Sequence, residues 1–288
     1  MEGRVQEVRR FAVKSMRGES LPACPIDAGG LRGDRAYALL DEETGKVASA
    51  KRPRMWSGLL AMSASYAADA GPGQPLLVDM GDGTPVRSDT PDFDARLSSA
   101  VGRRVRLLSQ PEAGAGYDDE WPDIDGLAPE EFVTSTRTST SDDGLAVSTL
   151  PVGLLAPGTF QDVSPVTVLT TASLRAAARL QPASRWDPRR FRANLLLDFS
   201  GEGFLENDWI GRRLTVGGAV LEILAPTPRC VMTTLAQEDL PADRDILRTV
   251  AAHNRADVPG TGRFACLGVY ASVVTPGPVA VGDRSTVD

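Results

Sequence analysis

The sharpest local feature of the sequence is a cysteine that follows two prolines, in Pro226-Thr227-Pro228-Arg229-Cys230. Proline restricts φ, so these residues stiffen the approach to Cys230 at the end of a predicted strand. The charge of Arg229 favours the thiolate, which is the form of cysteine that ligates metals and attacks electrophiles. The pattern predicts a reactive thiol presented in one direction, and the alternative is a small buried core residue.

The other two cysteines lack such surroundings. Cys24 lies in a proline-flanked loop and Cys266 lies inside an apolar predicted strand, so packing is the favoured interpretation for both. Three scattered cysteines are too few for a disulfide framework or a zinc site built from Cys-x-x-Cys pairs.

Cationic and amide side chains stand at the ends of several predicted strands. Arg192 and Asn194 come just before one strand, and an arginine fork can bind phosphate through two hydrogen bonds. The alternative for Arg192 is a solvated residue at the rim of a sheet. Lys14-Ser15 follows the first strand and Arg35 precedes another, at positions where loops gather into sites.

Several other chemistries find no support in the sequence. The single histidine, His253, lies in the last turn of a predicted helix, where a structural role is favoured, so we predict neither a Ser-His-Asp triad nor a histidine metal site. The glycine-rich turns do not match a phosphate loop or a dinucleotide fingerprint, because none joins a strand to a helix with the required spacing.

The elements that must position these residues are mostly strands. In the first half, a helix capped by Thr90 is predicted to start with Pro91 and to end at Gly102. The predicted strands of this half are 4–13, a hairpin of 36–40 with 46–50, 59–66, 76–80 and 105–108.

The sequence of the second half predicts strands and two helices, one over 171–180 and one over 244–254 with Asp243 as its cap. The predicted strands of this half are 166–169, 195–199, a hairpin of 214–216 with 219–224, and 265–274.

Between the halves, an acidic and then Ser/Thr-rich stretch predicts a long, partly mobile surface excursion. The predicted division is an N-terminal region over 1–110, the excursion over 111–165 and a second domain over 166–288.

Composition limits the class of protein. The 288 residues include 28 Gly and 21 Pro, which indicates many turns and a mainly β (α+β) fold. The net charge of -7 provides no general basic field, so we expect no nucleic-acid partner. Residues 1–30 carry several charges and no long apolar stretch, which favours a cytoplasmic protein without a membrane partner.

Several separate motifs follow one another along the chain. In the first half these are Val13-Lys14-Ser15-Met16-Arg17-Gly18, Gly30-Leu31-Arg32-Gly33-Asp34-Arg35 and Leu39-Leu40-Asp41. In the second half they are Leu169-Thr170-Thr171-Ala172-Ser173-Leu174, Arg190-Phe191-Arg192-Ala193-Asn194-Leu195, Asp208-Trp209-Ile210-Gly211, Pro228-Arg229-Cys230-Val231-Met232-Thr233-Thr234, Gly268-Val269-Tyr270-Ala271 and Val281-Gly282-Asp283. Together these motifs resemble the MOSC family in its two-part form, which includes the amidoxime-reducing component and related bacterial reductases.

The resemblance implies a MOSC-type β-barrel packed with an N-terminal β-barrel-like region and a few short helices. It also implies a molybdenum–molybdopterin cofactor held between the two halves, with the Cys230 thiolate as the metal ligand and catalytic residue. A dianionic phosphate and a polar pterin need several donors. The implied cofactor-binding residues are Lys14, Ser15, Arg35, Thr171, Arg192, Asn194 and Arg229.

The same resemblance implies a reductase that removes oxygen from N-hydroxylated or similar small molecules. The chain carries no ferredoxin-like cysteine cluster and no flavin fingerprint, so we expect a separate electron-donor protein, a flavin or iron–sulfur reductase. Relatives often carry an acidic residue soon after the Thr-Thr pair, whereas here Leu235-Ala236-Gln237 follows. The alternatives are a sulfurtransferase that uses a Cys230 persulfide and a non-catalytic cofactor carrier.

Overall fold

The computed structural model describes residues 1–68, 70–71 and 73–288, and strands dominate them, as predicted. The first half also contains the short helices α1 (Pro53–Trp56) and α2 (Phe93–Val101), and a 3-10 turn over Ser57–Ala61. Its strands are β1 (Glu2–Arg10), β2 (Glu19–Leu21), β3 (Ala23–Asp27), β4 (Gly30–Leu31), β5 (Ala38–Asp41), β6 (Ser63–Tyr66), β7 (Leu76–Asp79), β8 (Pro85–Arg87) and β9 (Val105–Leu108).

The rest of the chain adds eleven strands, three helices and three further 3-10 turns (Pro188–Phe191, Leu205–Trp209 and Val231–Thr234). The helices are α3 (Glu130–Thr136), α4 (Thr171–Leu180) and α5 (Asp245–His253). The strands are β10 (Gly116–Glu120), β11 (Arg137–Thr140), β12 (Ala146–Pro151), β13 (Val166–Thr170), β14 (Leu195–Phe199), β15 (Arg213–Val216), β16 (Ala219–Pro228), β17 (Arg255–Val258), β18 (Gly262–Thr275), β19 (Gly277–Ala280) and β20 (Arg284–Val287).

Seven strands close into a barrel in the order β13-β14-β1-β20-β15-β16-β18, and the pairing of β13 with β18 completes the ring. Alternate residues along each strand point into the barrel, as Ala219, Leu221 and Ile223 do on β16. The predicted MOSC-type β-barrel is confirmed. Its strand β1 comes from the start of the chain, and β19 pairs back with β3, so the two halves exchange strands.

The first half builds its own core from small sheets, with β5 paired to β9 and β7 between β6 and β8. Helix α2 covers this core with Phe93 and Leu97. The helix starts at Phe93 rather than next to the predicted Thr90 cap, because a turn from Thr90 O to the Phe93 N–H comes first. It ends as predicted at Gly102, whose φ of 75° is open to glycine at little cost.

Two strand predictions in the first half are wrong in part. Residues 46–50 pair with the predicted first strand only at an isolated antiparallel bridge between Leu40 and Val47, where Asp41 N–H bonds to Lys46 O and Ala48 N–H to Leu39 O. They form no continuous strand, because Val47 N–H bonds to Gly116 O and Ala50 N–H to Ser15 Oγ. The strand that pairs with β5 along its whole length is β9. Residues 57–61, at the start of the predicted strand 59–66, form a 3-10 turn that buries Leu59 and Leu60 on one side.

The stretch 111–165 differs most from its prediction as a surface excursion. Strands β10, β12 and β11 form a three-stranded antiparallel sheet, and α3 packs beside it. Tyr117, Val147 and Phe160 are buried. The acidic and Ser/Thr-rich composition did not predict this sheet. Its outer strand β11 is fully exposed and therefore polar, and only alternate residues of the acidic strand β10 face inward.

Helices α4 and α5 pack outside the barrel, and both follow the prediction closely. Thr170 caps α4 by accepting a hydrogen bond from the Ser173 N–H at 3.1 Å. Helix α5 buries Ile246, Leu247 and Val250, as its apolar spacing predicts. Within the described ranges, no helix is both long enough and apolar enough to cross a membrane.

Barrel closure depends on Gly268, which has a φ of 81° on β18 opposite β13. A Cβ at this position would lie 2.6 Å from Val168 O. We expect Gly268→Ala to lower the free energy of unfolding by about 2–4 kcal/mol, because both the backbone conformation and the contact become unfavourable. Denaturant unfolding monitored by circular dichroism measures this change.

The control is Gly58→Ala, at an exposed position where a Cβ meets nothing within 4 Å. This variant should remain within about 0.5 kcal/mol of wild type. Equal stability of the two variants would contradict the close approach at Gly268.

Candidate functional site

A pocket lies where the N-terminal half, the segment between β12 and β13, and the barrel meet. It encloses about 710 Å³ of space, part of it open to solvent. Of the predicted site residues, six line it: Lys14, Ser15, Arg35, Arg192, Arg229 and Cys230. Further lining residues include Ser49, Lys51, Gln161, Asp162, Thr227, Met232 and Tyr270.

Cys230 lies two residues beyond the end of β16 and directly precedes a 3-10 turn over Val231–Thr234. The N–H and hydroxyl of Thr233 both donate to Cys230 O, at 3.2 and 3.0 Å, and fix the turn. Cys230 is partly exposed, whereas Cys24 and Cys266 are buried. As predicted, Cys230 therefore has different surroundings from the two buried cysteines.

The electrostatic partner of Cys230 differs from the one predicted. Arg229 points away from the thiol, because its Nε donates to Leu267 O at 2.6 Å and its Nη1 to Phe191 O at 2.8 Å. Burial raises the pKa of the Cys230 thiol, and the nearby Lys51 ammonium partly opposes this effect. Lys51 is thus the cation that most favours the thiolate.

Arg190, which the sequence analysis did not single out, also fixes the turn after Cys230. Its guanidinium is almost fully buried, and among the described residues it donates only to backbone carbonyls. Nη1 reaches Thr233 O and Leu235 O at 3.3 Å, and Nη2 reaches Pro241 O at 2.8 Å. The pair Arg189-Arg190 is visible in the sequence, but the sequence does not show that the Arg190 side chain turns inward.

Arg35 and Arg192 meet at the other side of the pocket, over the ring of Phe11. Their guanidinium carbons lie 4.5 and 4.2 Å from the ring centroid. Asp34 orients Arg35 through a 2.6 Å ion pair, while Arg192 donates to Met16 O at 2.6 Å. Burial, and next the charge of Arg35, lower the pKa of Arg192 to about 9, so it remains a cation at neutral pH.

Backbone strain is concentrated at this pocket. Among the described residues, four that are not glycine have positive φ, and three of them line the pocket: Ser15 at 65°, Arg35 at 44° and Arg192 at 53°. Such conformations cost of the order of 1 kcal/mol or more and persist where the surrounding structure imposes them. The strain indicates that the directions of these side chains matter to the site.

Two lysines occupy the centre of the pocket. Asp162 pairs with Lys14 and lies 3.1 Å from Lys51 Nζ, and Asp119 lies 2.9 Å from Lys51. Burial lowers the pKa of Lys14, while the carboxylates of Asp119 and Asp162 overcome burial and raise that of Lys51. The sequence analysis did not predict Lys51 and Asp162 as site residues. Lys51 directly follows the predicted strand 46–50, and Asp162 lies in the predicted surface excursion 111–165.

Two predicted cofactor-binding residues do not line the pocket. Thr171 is the first residue of α4, and its hydroxyl donates to Asp198 Oδ1. The Asn194 side chain is buried and bonds to backbone, with Oδ1 accepting from the Thr167 N–H at 3.0 Å and Nδ2 donating to Arg9 O. Both residues therefore stabilise strand ends next to the pocket.

The raised pKa of the partly exposed Cys230 thiol determines how its reactivity depends on pH. In cofactor-free protein we expect a chromogenic disulfide reagent to react slowly at pH 7 and about tenfold faster per pH unit, with no plateau within the ordinary thiol range, because the raised pKa keeps the thiol neutral. Lys51→Met should slow the reaction at every pH. Absorbance of the released reagent gives the rate.

Cys230→Ser is the control, since Cys24 and Cys266 are buried. This variant should show only the slow reaction that follows local opening. Fast labelling of Cys230→Ser would contradict the assignment of Cys230 as the reactive thiol.

Two family models match the chain: the MOSC N-terminal beta barrel domain over residues 2–113 and the MOSC domain over residues 157–286. Mitochondrial amidoxime reducing component 2 of Bos taurus is 24% identical over 293 residues, which cover 98% of this chain and 82% of that protein.

Among solved structures, the YUAD protein of Bacillus subtilis aligns with all of this chain and 96% of its own, with a TM-score of 0.46 and 13% identity. YiiM of Geobacillus stearothermophilus aligns with 43% of this chain and 54% of its own, with a TM-score of 0.31 and 13% identity. The two family matches together account for most of the chain and agree with the barrel. This chain therefore belongs to the MOSC family, with a MOSC N-terminal β-barrel domain ahead of its MOSC domain.

Proposed function

We propose that this protein binds a molybdenum–molybdopterin cofactor in its pocket and removes oxygen from N-hydroxylated or similar small molecules. The observation that carries the proposal is the joint presence, in one pocket, of a partly exposed cysteine and buried cations. The bovine relative is named as an amidoxime reducing component, which supports this reaction class.

The chemistry of the pocket fits such a group. Arg192 forms no ion pair with any described residue, so a phosphate can accept its remaining donors. The Thr227 hydroxyl is buried without a hydrogen-bond partner among the described residues, which leaves it free to bond to a bound ligand. Lys14, Ser15 and Arg35 add further donors along the same wall.

The protein's own residues would bind and orient the group. Arg35, Arg192 and Lys14 would hold its phosphate, and Cys230 would ligate the metal from a turn fixed by Thr233. The metal centre, when bound, supplies two-electron removal of an oxygen atom. Met232 packs with Ala50 and Leu60 beside Cys230 and excludes water from behind the thiol.

Tyr270 provides a hydroxyl at the pocket wall. Burial raises its pKa to about 12, so its Oη keeps the proton at neutral pH and can donate a hydrogen bond to a bound molecule. A sulfurtransferase has less support, because burial raises the pKa of Cys230 and a persulfide carrier has no metal ion to form the thiolate, whereas a coordinated metal ion itself deprotonates the thiol. Electrons would come from a separate flavin or iron–sulfur protein.

Molybdenum and pterin analysis tests the proposal directly. Protein from a host that makes the cofactor should contain molybdenum approaching one atom per chain, and Arg192→Met should lose most of its pterin because a charge-assisted hydrogen bond contributes roughly 1.5–3 kcal/mol. Arg179→Met, on the exposed surface of α4, is the matched control and should retain it. Wild-type protein free of both metal and pterin after gentle purification would refute the proposal.

Loss of the metal ligand should abolish turnover without unfolding the protein. We expect Cys230→Ala to reduce no N-hydroxylated model substrate with chemically supplied electrons, because the thiolate sets the geometry and potential of the metal. Cys24→Ala and Cys266→Ala should keep most activity if they remain folded, since both thiols are buried away from the pocket. Substrate loss and product formation are measured by chromatography, with thermal unfolding as the check on folding.

Full activity of molybdenum-loaded Cys230→Ala would eliminate the ligand role. A persulfide on wild-type Cys230 without any reductase turnover would instead favour sulfur transfer.

A further inference from the structure

Strand β10 lies outside both family matches, which leave residues 114–156 uncovered, yet its side chains contact two lysines that line the pocket. Side chains alternate along a strand, so Tyr117 and Asp119 share one face and Asp118 has the other. Tyr117 and Asp119 are buried towards the pocket lysines. Asp118 pairs instead with Lys46 and Arg52, at 2.7 and 2.9 Å.

Tyr117 holds both pocket lysines at once. The ammonium nitrogens of Lys14 and Lys51 lie 4.1 and 4.8 Å from its ring centroid, within the range of a cation–π interaction. The Lys51 ammonium also donates to the Tyr117 hydroxyl at 3.2 Å. One aromatic side chain therefore fixes where two positive charges meet.

Asp119 completes this support from the same face. One carboxylate oxygen accepts from Lys51 Nζ at 2.9 Å, and the other has no hydrogen-bond partner among the described residues. Two ammonium groups this close repel one another, and a buried charge without a partner is unfavourable. Asp162 pairs with both ammonium groups from the pocket side, and the ring and the Asp119 carboxylate offset the repulsion from behind. A bound anion would take the place of Asp162 at the two ammonium groups, while Tyr117 and Asp119 keep them in position.

We infer that Tyr117 and Asp119 are positioning residues that hold Lys14 and Lys51 ready to bind an anionic group of a ligand, such as a phosphate monoester. The inference rests on the proposed function in that it concerns the same pocket. It makes the segment 114–156 a determinant of ligand affinity in this chain, although neither family domain includes it.

The experiment measures binding of inorganic phosphate to cofactor-free protein by isothermal titration calorimetry. Tyr117→Leu should weaken binding by about tenfold, which corresponds to ~1.4 kcal/mol. Tyr117→Phe keeps the ring and should stay within about threefold of wild type. Asp118→Asn, on the opposite face of the same strand, is the matched control and should bind as wild type does.

Asp119→Ala separates positioning from charge. If the carboxylate acted only through its charge, its removal would make the pocket more positive and strengthen phosphate binding. A positioning role predicts binding about threefold or more weaker, and this variant distinguishes the two roles even if Tyr117→Leu fails to fold. Circular dichroism establishes folding for every variant.

Wild-type affinity in folded Tyr117→Leu, tighter binding in Asp119→Ala, or no phosphate binding by the wild type would each overturn the inference. Phosphate binding requires no molybdenum, so the inference and the proposed function fail separately. A protein without molybdenum whose phosphate affinity depends on Tyr117 would refute only the proposed function.

Discussion

Two buried guanidinium groups hold the backbone on both sides of Cys230, and the geometry of the pocket depends on them. Arg229 binds the carbonyls of Leu267 and Phe191, and Arg190 binds carbonyls of the turn that follows the cysteine. Burial lowers the pKa of both arginines, but no described carboxylate forms an ion pair with either. Several hydrogen bonds to carbonyls compensate for lost hydration, and breaking them would leave an uncompensated buried charge.

The prolines explain why the Leu267 carbonyl is available to Arg229. Neither Pro226 nor Pro228 has an N–H, so β16 cannot donate to every carbonyl of β18, and the register shifts between them. The Leu267 carbonyl accepts from the Arg229 side chain at this irregularity. The same prolines that stiffen the approach to Cys230 thus create the acceptor that turns its neighbour away from the thiol.

The exchange of strands makes the pocket a product of both halves. Strand β1 lies in the barrel, and the chain that leaves it carries Lys14 and Ser15 directly to the pocket. Phe11 on the same connection lies beneath Arg35 and Arg192, which come from different halves. Because the strand is fixed by barrel hydrogen bonds, a shift of the halves against each other would disturb the barrel before it opened the pocket.

Local patterns in the sequence are enough to predict the mainly β class, helices α4 and α5, and six of the residues that line the pocket. These predictions follow from turn residues, from apolar periodicity, and from the polar residues and the cysteine at the ends of predicted strands. It took the folded chain to show that β1 joins the barrel, that Arg229 turns away from the thiol, and that Tyr117 supports two lysines. Strand partners, the direction of a long side chain and the burial of an acidic strand depend on residues far away in sequence, which no local pattern specifies.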